Sequence, residues 1–177
     1  MPEEIEVPTE HLHEKMEEEA EHRGGWIAKV AVSSALLAVA AAISALLAGH
    51  HANEAMLEQM KATDQWAYYQ AKGIKSSLVA AADAQIIASG RAAPADDNAR
   101  IQRYDDEQKE IEGKGHELEQ SSEDHMAHHK AFAIAVTLFQ IAIAMGAISV
   151  LAKKPPLWFL SLGLGAAGLV FLVQGLL

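Results

Sequence analysis

The sequence predicts an all-α membrane protein: three transmembrane helices, with a long antiparallel, coiled-coil-like helical hairpin between the first and the second. Three observations predict it. The charge is segregated, since residues 1–25 and 49–130 hold all 24 acids of the 177-residue chain, while 26–48 and 131–177 hold none and only Lys29, Lys153 and Lys154. Three stretches reach the roughly 20 apolar residues that a bilayer crossing needs. Between the first two, residues 50–89 contain no proline and only Gly73, and apolar or small residues recur there at steps of three and four, the helical period. The net charge of -10 and mean hydropathy of +0.04 therefore average over unlike parts.

Residues 1–25 form an acidic N-terminal segment with nine acids against Lys15 and Arg23. Thr9 is an expected N-cap, and Leu12, Met16 and Ala20 share a narrow stripe on an otherwise Glu- and His-rich helix. That pattern suits a solvated segment, or an arm that docks on a basic partner.

The first transmembrane helix is expected at 26–48. Its one charge, Lys29, sits in the first turn, where its stem can reach the headgroups. A signal peptide has a short basic start and an apolar run of roughly 7–15 residues. Here the preceding segment is acidic and the run is longer, so an uncleaved anchor is expected.

Residues 49–130 are expected to form the extramembrane hairpin. In its first leg Met56, Met60, Thr63, Ala67, Ala71, Ile74, Leu78, Ala81 and Gln85 make one stripe. Gly90 offers a C′ residue and Asp97 or Asn98 an N-cap. In the second leg Ile101, Tyr104, Gln108, Ile111, Gly115, Leu118, Ser122, His125 and His129 step three and four as a heptad seam. A thin two-helix pair whose seam carries Gln108, Gly115, Ser122 and histidines is marginal alone, so packing against further copies is expected.

The second transmembrane helix is expected at 131–151 and the third at 157–177, joined by a tight basic turn at 152–156, where Pro155-Pro156 cannot continue a helix. Ser161 and Gly165 form a small-xxx-small pair that lets backbones approach closely in lipid. They serve either packing within one chain or contact between copies, and a homo-oligomer is expected. Gln140, with Thr137, lies inside the second span, where it needs a hydrogen-bonding partner or faces a pore. Lys153 and Lys154, with Lys15, Arg23 and Lys29, mark the N-terminus and the turn as cytoplasmic. Residues 49–130 are then periplasmic, in a multi-pass protein of the bacterial inner membrane.

Composition excludes several functions. With no cysteine there is no disulfide scaffold, zinc–thiolate site or cysteine nucleophile. The acidity argues against nucleic acid as a partner. No phosphate-binding loop, dinucleotide fingerprint or hydrolase motif is present, so no enzyme and no cofactor is expected. The nine histidines stand out. A hairpin brings His50 and His51 level with His125, His128 and His129, near Glu54, Glu123 and Asp124. Imidazoles spaced i,i+3 or i,i+4 can chelate a transition metal. They can also respond to pH near 6.5, or simply suit a polar–apolar boundary. Trp66, Tyr68 and Tyr69 lie too far along the helix for an interfacial belt and are candidate contacts with a core, another copy or a membrane-protein partner.

The run Asp64-Gln65-Trp66-Ala67-Tyr68-Tyr69-Gln70-Ala71-Lys72-Gly73-Ile74-Lys75 resembles the central motif of a bacterial family of small membrane proteins, domain of unknown function 4337. Phe139-Gln140-Ile141-Ala142-Ile143-Ala144 is similar as well, and the likeness covers residues 8 to 177. The resemblance implies the same order of elements: an acidic start, one span, a long helical segment, and two spans joined by a short basic turn. It implies no reaction, ligand or catalytic residue. The expected function is a non-enzymatic structural, scaffold or interaction protein. A channel or permeation pathway, and a metal or pH sensor built on the histidines, are the alternatives.

Overall fold

The computed structural model describes residues 9–177, the side chains from residue 24 onward. It holds three helices: α1, Thr9–Ala88; α2, Asp97–Leu151; and α3, Pro155–Leu176. No strand occurs among the described residues. Each helix contains a stretch long and apolar enough to cross a membrane. The side chains of Leu12, Met16 and Ala20, and any cap by Thr9, lie outside the described residues.

Both links are built from local backbone chemistry. At the end of α1, the Gly90 N–H donates to the Ile87 carbonyl (2.9 Å) and the Arg91 N–H to the Ile86 carbonyl (3.2 Å). Gly90 has φ +79, so this is a Schellman motif with glycine at C′, where only glycine is unstrained. At the start of α2 the first helical bond is accepted by the Asp96 carbonyl, from Arg100 N–H at 3.0 Å. The N-cap is thus Asp96, not Asp97 or Asn98 as expected.

The second link corrects the expected turn at 152–156. The Lys153 N–H donates to Val150 and the Lys154 N–H to Ser149, with Lys153 at φ 54. Lys154 is extended, φ -118 and ψ 96, and Pro155 and Pro156 already belong to α3. A proline lacks an N–H and has φ preset near -65°, so it opens a helix as readily as it stops one. The residue before it is held extended. The turn is Ala152–Lys154, and α3 begins two residues earlier than expected.

The chain divides into two compact units, one of the residues up to Leu47 with Ala131–Leu177, the other Ala48–Lys130. In the first, large side chains sit on glycines. A Cβ at Gly168 would lie 2.7 Å from the Phe139 ring, at Gly175 2.8 Å from Phe132, and at Gly165 2.6 Å from Leu37. Phe132 and Phe139 are fully buried. Polar groups in this unit are also matched. Ser161 Oγ donates to the Ala142 carbonyl at 2.7 Å, and Trp158 Nε1 to Ser33 Oγ at 3.1 Å. Ser161 and Gly165 are therefore engaged within the chain.

Candidate interaction surface and histidine cluster

In the Ala48–Lys130 unit, contacts descend along α2 as they climb along α1. Ser122 Oγ donates to the Ala55 carbonyl at 2.8 Å. Trp66 Nε1 donates to Glu119 Oε1 at 2.8 Å, and Gln108 Nε2 to the Tyr69 carbonyl at 3.1 Å. Lys72 pairs with Glu107, and Ser76 Oγ donates to Asp105 Oδ1 at 3.1 Å. The α2 residues that face α1 are those of the 101–129 seam: Ile111, Gly115 and Ser122 are buried and the others half-buried.

The face that α1 offers in return is not its apolar stripe. Ala55 and Ala62 are buried, with Trp66, Tyr69 and Gly73 beside them at half-burial. Successive helical residues are about 100° apart, so the stripe begun by Met56 lies about a quarter-turn from the face begun by Ala55. Met56, Met60, Ile74 and Leu78 are 60–65% exposed, and Thr63, Ala67, Ala81 and Gln85 are exposed between and beyond them, with Ala71 alone of the stripe half-buried. The physical reason is fit. Gly115 admits the Trp66 ring, with a Cβ there only 3.2 Å from it, and Gly73 admits the Gln108 amide. Small residues and hydrogen bonds choose this face over the more hydrophobic one. Near Ser122, α1 and α2 frame an open groove lined by Met56, Met60 and Met126.

The aromatic motif divides accordingly. Trp66 stands edge-on to Tyr69 and His116, at 5.7 and 5.1 Å. Glu119 joins Trp66 to His116, whose Nδ1 is 3.2 Å away. Tyr68 is half exposed and lies under the Lys72 ammonium at 4.9 Å. The Glu107 hydrogen bond raises the Lys72 pKa, as expected of an ammonium that gains an anionic partner.

The five histidines share one level. His51 Nδ1 and His125 Nδ1 are 2.9 Å apart. His128 stacks on His51 at 5.0 Å, and His50 meets it edge-on at 5.4 Å. His129 Nδ1 donates to the Ala48 carbonyl at 2.9 Å, since a carbonyl can only accept. Burial, and then the neighbouring His128, His125 and His50, lower the His51 pKa against the opposing pull of Glu54. Among the described residues no group of three or more His, Asp or Glu side chains is arranged to hold a metal ion. At the other end of the pair, Asp83 has its pKa raised by loss of water and then by Asp97, whose Oδ1 accepts from Arg100 at 2.7 Å.

Gln140 is exposed on α2, not buried among the helices of its unit, and so is Thr137. The Thr137 hydroxyl donates back to the Ala133 carbonyl at 2.9 Å.

The model of a family described as a domain of unknown function, DUF4337, matches residues 26–177. The chain belongs to that family. The match takes in all of α2 and α3, and α1 from Trp26, including the Trp66–Lys75 run that holds α1 on α2. No curated protein and no solved structure matches the chain.

Proposed function

We propose that this DUF4337 protein is a non-enzymatic, homo-oligomeric structural protein of the bacterial inner membrane. Residues 26–48, 131–151 and most of α3 span the bilayer. Residues 49–130 stand outside it as an antiparallel helical hairpin that presents an assembly surface.

The observation that carries this reading is the outward stripe of α1. Fully burying a Met, Leu or Ile side chain contributes ~1.5–3 kcal/mol, and here four of them remain exposed on a helical face outside the apolar segments. Large apolar side chains exposed along one helical face suit a contact site. A second copy is the occupant that needs no further partner, and anchoring in a shared membrane lowers the entropic cost of association. Gln140 supports the same reading. In hydrocarbon an amide needs a partner, and an amide is both donor and acceptor, so the same residue of a neighbour can satisfy it.

The test is cross-linking and native mass spectrometry of the full chain in mild detergent, beside a variant carrying Met60→Lys and Ile74→Lys. Oligomers in the parent and monomers in the variant support the proposal. A monomeric parent overturns it.

Gln140 and Thr137, three residues apart and both exposed on α2, favour one further reading, a permeation pathway lined by these residues in the oligomer. Ion or solute flux across protein-loaded liposomes tests it, and tight vesicles would remove it.

A further inference from the structure

Residues 49–130 hold three sulfur atoms, those of Met56, Met60 and Met126, and all three side chains line the same open groove beside Ser122. All three are exposed, so a solute can reach them. Their placement follows from the helices. Met56 and Met60 are four residues apart, so they share a face of α1 with Cβ atoms about 5–6 Å apart. Ser122 Oγ donates to the Ala55 carbonyl at 2.8 Å, which holds α1 beside α2 one turn before Met126. Side chains on a helix lean toward its N-terminus. Met60 therefore leans toward Met56. The two helices run antiparallel here, so Met126 leans back toward Ser122 and the level of Ala55, to meet them. A thioether is uncharged and polarizable, on an unbranched chain that adapts its shape. Soft thioether sulfur suits Cu(I), whereas imidazole suits Zn and carboxylate suits Mg, Ca and Mn. The chain has no cysteine, so these are its softest donors outside the apolar segments. Glu123, at the edge of the groove, adds a negative charge that draws a cation in.

We propose that Met56, Met60 and Met126 form a thioether site for Cu(I) in the groove between α1 and α2. The ion is bound without change of oxidation state. The site is distinct from the histidine level, and it goes beyond the assembly reading because all three donors belong to one chain. Two properties of sulfur make it separable from both. Leucine keeps the size and apolarity of methionine but offers no donor, so Met→Leu removes the metal site and keeps the apolar surface. A thioether also has no proton to lose on binding. Its grip on Cu(I) does not weaken in mild acid, whereas imidazole ligands must be deprotonated to bind.

The test is an anaerobic titration of the full-length protein in mild detergent with Cu(I), kept reduced by ascorbate, against a chromophoric Cu(I) chelator. One Cu(I) per chain is expected, with sulfur neighbours in X-ray absorption at the copper edge. Met56→Leu, Met60→Leu and Met126→Leu should each weaken binding at least about tenfold, the least that even an outer-sphere partner of a metal site is worth. Helicity and oligomeric state should stay those of the parent. His51→Ala with His125→Ala should bind Cu(I) as the parent does, and so should Ile74→Lys with Leu78→Lys, which bears on assembly alone. A monomeric parent that still takes up Cu(I) supports the site and contradicts only the assembly reading. A parent that takes up no Cu(I), an affinity unchanged in all three Met→Leu variants, or an absorption spectrum dominated by imidazole would overturn the site.

Discussion

Gly113 and Gly115 lie one turn-half apart on α2 and should respond oppositely to substitution. Nothing approaches a Cβ at Gly113, whereas one at Gly115 meets Trp66 at 3.2 Å. Glycine inside a helix costs about 0.5–1 kcal/mol relative to alanine, so Gly113→Ala should stabilise by about that amount. Gly115→Leu should push Trp66 off its seat and cost ~1–3 kcal/mol, the usual range for overpacking. Chemical unfolding followed by circular dichroism distinguishes the two. Asp83 supplies a second prediction. Its folded pKa lies above the ordinary 3.8, so the folded chain binds the proton more tightly than the unfolded one. The stabilising contribution is present at low pH and is lost as pH rises through the raised value. Asp83→Asn, which removes the charge, should raise thermal stability at pH 7 and leave it nearly unchanged at pH 3. A variant less stable at pH 7 would show that the carboxylate is held by a favourable partner.

At the level of elements, the prediction concerns the two faces of α1. Ile74→Lys with Leu78→Lys should abolish assembly while leaving helicity and the α1–α2 contacts intact. Trp66→Ala should do the reverse damage, loosening α1 from α2 first, as backbone amide exchange around Tyr69 would report. The register of α2 was readable in the sequence because Ile101 to His129 step three and four and no other face competes. The break after Ala88 was readable from Gly90. The α1 pairing face was not, because apolarity marks the stripe from Met56 while pairing goes to the face from Ala55. What selects it is complementarity between distant residues, Trp66 with Gly115 and Gln108 with Gly73, which a single helix's periodicity does not contain. Alanines at 55 and 62 and glycine at 73 were the available signal, small residues at the spacing of a close helix contact. Likewise Pro155-Pro156 read as an interruption, whereas their fixed φ makes them the first turn of α3. The histidine level was readable from the return of the chain, but not the Nδ1-to-Nδ1 pairing, which depends on rotamers.

For the whole molecule, the proposed topology, with residues 49–130 periplasmic and the turn after α2 cytoplasmic, makes a direct prediction. A cysteine introduced at position 53 should react with a membrane-impermeant reagent from the periplasmic side of intact spheroplasts. One at position 153 should react only after the membrane is opened. The opposite pattern would invert the arrangement. The central claim is that the apolar face left open on α1 is closed by other copies of the same chain. Native mass spectrometry of the full-length protein released from mild detergent tests it most directly. The account predicts a discrete homo-oligomer that falls to single chains when Met60 and Ile74 become lysine. A parent protein that flies only as one chain, across detergents that preserve its helicity, would contradict it.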